Sequence, residues 1–527
     1  MATHKIKVGV FSPNDFRSWV RKDNLKMVLK HEQILISTLR AQGVEVIRGG
    51  DGFPLEDQIA WNTDLVRKQA KRIAQAQPHA LILNQGTWTF PYDSRDAVIT
   101  FMKTVKGIDN GVPRILIFCY KHTQVPGLVA GMAVGGALQR IGLPYQLAYG
   151  LIDKDKTCLK EVMSILAFYK QRADAAPTVV KAIDALPQQK YVAFGGMSLK
   201  MATTTADVDQ WAKYWGISYE ALDQSELKRR ALPMLTWNAI PGQSKLLGIN
   251  DTRIKKSLDF LVKKGYGKFD FTRDKLKSMD KFIYQLAFYY AAVDILKEYN
   301  GTFCGIKCQD ELSACECTMC LATAFLSNNT GPDGQPKSVI PTACENDMDS
   351  ALTQLWLSLL NGGQPAGFGD FRDVDKNVLA IVNCGQHPPY FFGTPQESGI
   401  AKLKRTEYMG QEIFYDAGGS SVRGRTPAGE TITVARLARE NLRYKLVATV
   451  METIPVSRAE HNKYNYSWPI IKGRLPISGK QLIDLWPCNH LGFSFGDLTP
   501  ALAEMAQRLD IGYKIYDAKG RAYYKLS

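Results

Sequence analysis

Short apolar runs alternate with segments of helical spacing through roughly the first 170 residues, and this rhythm restricts the fold more than any other feature. "KIKVGVFS", "HALILNQG" and "PRILIFCY" have strand length and strand composition, while "LVRKQAKRIAQAQ" repeats its apolar residues at helical spacing. A glycine-rich helix, "PGLVAGMAVGGALQRIG", leads to the strand "PYQLAYG". Strand–helix alternation of this kind builds a parallel sheet covered by helices. Loops such as "NQGTWTFPYD" leave the carboxyl ends of those strands, where parallel sheets take up ligands.

The helical segment "LKEVMSILAFYKQRADAAPTVVKAI" opens a second unit. "KYVAFGGMSLKMATTTADVDQWAKYWGI" reads as strand, glycine loop and helix. "DKLKSMDKFIYQLAFYYAAVDILKEYNG" reads as a long helix stopped at Gly301. A strand, "TFCGIKC", a cysteine-rich helix and the helix "ENDMDSALTQLWLSLLNGG" follow. After about residue 362 the texture changes to short antiparallel strands with glycine turns: "KNVLAIVNCG", "QEIFYDAG", "GETITVARLARE" and "YKLVATVMETI". "LTPALAEMAQRLDI" reads as a helix and "GYKIYDAKGRAYYKL" as a hairpin. The expected architecture is α/β: two Rossmann-like α/β domains, 1–172 and 173–361, and a β-rich, barrel-like domain, 362–527.

Composition excludes several classes. The net charge is +15, but the basic residues are dispersed, with no helix-turn-helix and no aromatic RNA-binding strand, so no nucleic-acid partner is expected. No apolar run reaches membrane-spanning length, and the start "MATHKIKVGVFSP" has no signal-peptide pattern. Ten irregularly spaced cysteines in such a chain point to reduced thiols in a cytoplasm.

Five of those cysteines crowd "CGIKCQDELSACECTMC", residues 304–320. The spacing lacks the paired CxxC loops of a zinc site, and Cys315, Cys317 and Cys320 are expected on one helix, so packing is the expected role. The carboxylates are more telling. Glu345, Asp347 and Asp349 open a helix after a short strand, and three such groups repel one another unless solvent or a cation screens them. "PAGFGDFRDVD" carries a glycine-flanked Asp370, followed by Asp373 and Asp375, and "WPCNHLGFSFGD" carries His490. Taken alone, His490 reads first as a hydrogen-bonded structural histidine. Two carboxylates and an imidazole together suit a hard or borderline divalent ion such as Mn²⁺.

These segments resemble the L-fucose isomerase family in shared order along most of the chain. "PNDFRSWVR" is similar to that family's N-terminal Asp-x-Arg segment, and "TWTFPYDS" to its tryptophan-bearing substrate loop. "YVAFGGMSLKMA" with "DQSELKRR" resembles its Gly-Gly-x-Ser block and the run after it. "ACENDMDSAL", "GFGDFRD", "YSWP" and "NHLGFSFGD" resemble the glutamate, aspartate, Trp-Pro and histidine elements.

The resemblance implies an aldose–ketose isomerase acting on a deoxyhexose-type sugar through an enediolate. It implies Mn²⁺, or another divalent ion, on Glu345, Asp370 and His490, with Glu345 and Asp370 as the acid/base pair. It implies sugar contacts from Lys307, Trp468 and Asn489, and a homohexamer in which Arg17 and Trp88 of the first domain visit a neighbour's site. Lys307 stands where the family aligns a glutamine, which raises an anionic substrate such as sulfoquinovose beside the neutral L-fucose or D-arabinose. Its plainer role is an ion pair with Asp310 or Glu311. The other expectations weighed are a sugar-binding relative without chemistry and a cysteine-bound zinc or iron–sulfur protein that binds nucleic acid.

Overall fold

The computed structural model describes residues 5–105, 113–123, 125–272, 279–411 and 416–526. They form two compact units, Met1–Val179 with Ala503–Tyr513 and Tyr523–Ser527, and Val180–Leu502 with Lys514–Ala522.

In the first unit β1 (Lys7–Phe11), β2 (Glu45–Arg48), β3 (Ala80–Gln85), β4 (Ile115–Tyr120) and β5 (Tyr145–Gly150) make one parallel sheet, in the order β2-β1-β3-β4-β5. Every residue of β3 and β4 is buried, as expected of strands covered on both faces. The glycines of helix Gly127–Gln139 allow it to lie close to that sheet: a Cβ at Gly131 would stand 2.1 Å from the Cys119 sulfur. Helix Thr499–Arg508 carries Glu504, which is buried and paired with Arg114 at 2.8 Å, Arg172 at 3.0 Å and Arg508 at 2.9 Å. Burial of Glu504 opposes its charge, and the three arginines outweigh it, keeping the carboxyl below its usual range.

The second unit begins with β6 (Lys190–Phe194) and β7 (Ser218–Leu222), followed by the hairpin β8 (Leu235–Trp237) and β9 (Leu246–Ile249), and by β10 (Lys268–Asp270). Next come β11 (Phe303–Ile306) and β12 (Thr342–Cys344), which complete a second parallel sheet in the order β12-β11-β6-β7. Six further strands close into an antiparallel barrel. These are β13 (Gly367–Asp375), β14 (Val378–Val382), β17 (Thr431–Glu440), β18 (Arg443–Thr453), β19 (Ile470–Arg474) and β20 (His490–Phe495). Their order is β17-β20-β13-β14-β19-β18, and β18 pairs back on β17. Between β14 and β17 the strands β15 (Glu407–Gly410) and β16 (Ser420–Arg423) join β10 in a small sheet. Helix Met348–Leu360, buried almost throughout, packs on β11 and β12 on one side and on β17 and β20 on the other.

The expected α/β class, with two parallel layers and a barrel, is therefore present. Some elements differ from expectation. The helix expected to stop at Gly301 spans Met279–Glu298, and its left-handed residue is Asn300, with φ 55°. Gly301 instead allows close approach, since a Cβ there would meet Leu296 at 2.6 Å and Val192 at 2.7 Å. Residues 273–278 at the start of that segment lie outside the described residues, as do 412–415, the centre of the expected strand "QEIFYDAG". The cysteine-rich segment is two short helices, Glu311–Cys315 and Cys320–Leu326. It breaks at Glu316, whose carbonyl accepts from Lys281 at 2.6 Å and whose carboxylate takes Lys228 at 2.6 Å and Tyr284 at 2.8 Å. Those tertiary bonds outweigh the helical propensity of the segment. No helix among the described residues is long and apolar enough to cross a membrane.

Candidate active site

Glu345 stands in the turn between β12 and helix Met348–Leu360. Both Glu345 and Asn346 adopt left-handed backbone, with φ 59° and 57°. Asparagine tolerates that region, whereas a glutamate held there stores strain that its surroundings must overcome. Asn346 supplies much of the restraint. Its amide oxygen accepts from the Tyr191 hydroxyl at 2.7 Å, and its Nδ2 donates to the carbonyls of Gly195 at 3.1 Å and Gly196 at 3.2 Å. Gly305 makes room for this turn, because a Cβ there would lie 2.1 Å from the Tyr191 hydroxyl and 2.6 Å from Asn346 Oδ1. Asp347 then caps the helix, accepting from the Ser350 amide at 2.9 Å.

Barrel register supplies the other two groups. Asp370 on β13 and His490 on β20 are direct cross-strand partners, so their side chains share a face. His490 Nε2 lies 3.3 Å from Asp370 Oδ1 and 3.7 Å from Glu345 Oε2. Nδ1–H donates to Asp347 Oδ2 at 2.7 Å, which fixes the ring and leaves Nε2 facing the two carboxylates. Phe368 packs against the imidazole with ring centroids 4.6 Å apart. Asp347 is held by Arg436 Nη1 at 2.8 Å, and Arg436, itself buried, also donates to the Thr203 carbonyl at 3.0 Å and to the Ser350 hydroxyl.

The electrostatics match this crowding. Burial, followed by the Cys384, Asp370 and Asp347 charges, pushes Glu345 up to about 8, although His490 pulls the other way. Burial disfavours the charged form of His490, yet Asp347 and Asp370 raise it to about 10. Asp347 is driven well below its usual range despite complete burial, chiefly by Arg436 and then by His490. Two carboxylates converging on an imidazole nitrogen, its other nitrogen held by a third carboxylate, is a donor set that fits a hard or borderline divalent cation.

A cavity of about 610 Å³ opens onto these groups, lined by Glu345, Asp370, Phe371, Arg372, Val382, Cys384, Trp468, Leu199, Gln309 and Asp310. Trp468 is anchored by its indole N–H, which donates to Gln411 Oε1 at 3.2 Å. Asn383 Nδ2 donates to Asp370 Oδ2 at 3.3 Å. The Asn489 carbonyl accepts from the Phe371 amide at 2.7 Å, while its side chain is exposed beside Met201. Lys307 Nζ is engaged by Glu311 at 2.6 Å. In the first unit, Arg17 and Trp88 lie in the loops after β1 and β3, at the carboxyl end of the sheet. Arg17 donates to Asp15 at 2.5 Å, and Trp88 is half-buried.

The structure thus brings Glu345, Asp370, His490 and Trp468 together. Asp373 is instead exposed and accepts from Tyr464 at 3.2 Å, and Asp349 is buried against Tyr444 at 2.7 Å. Sequence reasoning missed Arg436 and the anchoring of His490 by Asp347. The available signal was the alternation Ile432, Val434, Arg436 along β17, which puts an arginine on a buried apolar face and demands a buried anion.

Two family profiles match the chain, and together they cover more than half of it. Residues 5–181 match the first N-terminal domain of L-fucose isomerase, and residues 381–516 match the C-terminal domain of L-fucose isomerase. No curated protein matches.

Proposed function

The chain belongs to the L-fucose isomerase family and is an aldose–ketose isomerase, and on that premise we propose that Glu345, Asp370 and His490 hold one divalent cation beside the reacting sugar. The observation that carries this reading is the pair of carboxylates at 3.3 and 3.7 Å from His490 Nε2, with Nδ1 committed to Asp347. Mn²⁺ suits the mixed oxygen and nitrogen donors. When bound, the ion supplies Lewis-acid polarisation of the sugar's O1 and O2.

The side chains do the proton work. Glu345, fixed on its restrained turn at the cavity wall, removes the C2 proton of the open-chain aldose, giving an enediolate, and returns a proton to C1 to give the ketose. Asp370, more open to the cavity, moves the hydroxyl proton from O2 to O1. Trp468 forms an apolar wall, and the exposed amide of Asn489 is available for a sugar hydroxyl. Arg17 and Trp88 complete the site from a neighbouring copy in a homohexamer.

For the substrate we favour a neutral deoxyhexose-type sugar. Lys307, the cation that suggested an anionic sugar, is neutralised by Glu311 at 2.6 Å. Among the described residues that line the cavity, Arg372 is the cation a sulfonate would meet. Glu345→Gln is the direct test. With Mn²⁺ and a panel of neutral and sulfonated sugars, turnover should fall by about 10³-fold or more on every sugar the unmutated chain converts. Retained turnover would remove Glu345 as the base.

A further inference from the structure

Beside Glu345 the donor chemistry also includes sulfur, from Cys344 and Cys384. We propose that Cys344, Cys384 and Glu345 form a second divalent-metal site, selective for thiophilic ions such as Zn²⁺ and Cd²⁺, whose occupation blocks turnover by capturing the Glu345 carboxylate.

The geometry is already close to that of a bound ion. One ligand atom from each of the three residues lies within 4.8 Å of the other two. The Cys344 and Cys384 sulfurs are 3.8 Å apart. Zinc–sulfur bonds of about 2.3 Å at a tetrahedral angle place two thiolate sulfurs about 3.8 Å apart. That separation is too long for a disulfide, and both cysteines are reduced.

Neither cysteine needs to be recruited from elsewhere. Cys344 ends β12, immediately before the restrained Glu345 turn. Cys384 follows β14, and its carbonyl is fixed by Gln411 Nε2 at 2.8 Å and by the Cys320 thiol at 3.1 Å. Cys384 and Glu345 also lie on the wall of the 610 Å³ cavity, so an ion has a path to the site, and three protein donors leave one tetrahedral position open. The other buried thiols present no comparable set among the described residues.

Thiolate donors select zinc-like ions over manganese, whereas carboxylate and imidazole donors accept manganese. Glu345 belongs to both sets. An ion drawn to the sulfur pair therefore ties up the carboxylate that serves as base. This inhibitory consequence rests on the role of Glu345 proposed above, whereas the existence of the sulfur site does not.

Cd²⁺ titration of the full-length, reduced protein tests the site through the near-ultraviolet thiolate-to-cadmium charge-transfer band. The band should saturate at one tightly bound Cd²⁺ per chain, be lost in Cys344→Ser and in Cys384→Ser, and persist in His490→Asn and Cys317→Ser. Circular dichroism of each variant excludes misfolding, and Cys384→Ala gives a second way to remove the sulfur. A band of unchanged intensity in both serine variants, or its absence from the unmutated chain, overturns the proposal. Cd²⁺ should also inhibit Mn²⁺-supported isomerisation at the same stoichiometry. A band that forms normally while turnover stays at its full rate overturns the blocking claim. The His490→Asn band separates this result from the fate of the manganese reading, because that variant disrupts the oxygen–nitrogen site alone.

Discussion

The parallel sheet and the barrel each deliver part of the proposed site, by different physical means. The sheet side presents Glu345 from a turn of two consecutive left-handed residues, held by hydrogen bonds from Asn346 and by the space left at Gly305. The barrel side presents Asp370 and His490 through ordinary antiparallel register, as direct partners on β13 and β20. A turn of that kind stores strain and depends on local contacts, whereas register is fixed by the whole pattern of the barrel's alternating core. Asp347 links the two, since it caps the helix beyond the turn and holds the barrel histidine.

Breaking that link should have the largest effect. Asp347→Asn leaves Arg436 as a buried cation without its carboxylate, which should cost about 3–5 kcal/mol of stability. It also replaces the charged acceptor of His490 Nδ1–H with a neutral amide, which should weaken Mn²⁺ about 10–100-fold. Chemical denaturation and metal titration measure the two losses. Stability and affinity both unchanged would mean that the two sides are positioned independently.

The next test addresses the turn alone. Gly305→Ala should cost about 1–3 kcal/mol through the clash with Tyr191 and Asn346. It should lower turnover more than it alters the barrel's own unfolding, as followed by hydrogen exchange. Unchanged activity would show that Glu345 does not depend on that close approach.

On the barrel side acid should act through two buried histidines. Burial holds His387 and His461 neutral, down to about 3 from an ordinary 6.5. Their unfolded counterparts protonate near 6.5, so the unfolded chain binds more protons between those values. The contribution of these two histidines is therefore complete above about pH 6.5 and is lost as pH falls towards 3, at roughly 1 kcal/mol per histidine per pH unit. His387→Gln should flatten the melting-temperature profile below pH 6, and an unchanged slope would remove His387 from the account.

Lys307→Gln should have the smallest effect. Its partly exposed pair with Glu311 contributes about 0–1 kcal/mol, and KM for a neutral sugar should stay within about twofold. A selective rise in KM for a sulfonated sugar would restore the anionic substrate reading.

The layers of the fold were legible because apolar runs and periodicity report burial directly, as in the fully buried β3 and β4. Glu345, Asp370 and His490 were legible as short motifs in a shared order, and only coordinates could show that the first two face the same imidazole nitrogen. Three kinds of feature were hidden. The left-handed turn at Glu345 depends on partners far away in the chain, at Tyr191 and Gly195. The Arg436–Asp347–His490 chain spans three elements, and the position of Arg436 on β17 calls for a buried anion without saying which one. The break at Glu316 is set by Lys281, Lys228 and Tyr284, so tertiary bonds decided what helical propensity alone could not.

Direct measurement of Mn²⁺ binding, by the loss of the free-ion electron paramagnetic resonance signal, tests the central claim that one cation joins the turn to the barrel. The unmutated chain should bind one ion per chain, and Glu345→Gln, Asp370→Asn and His490→Asn should each weaken that binding by at least about tenfold while remaining folded. Equal Mn²⁺ affinity in all four proteins would contradict the account.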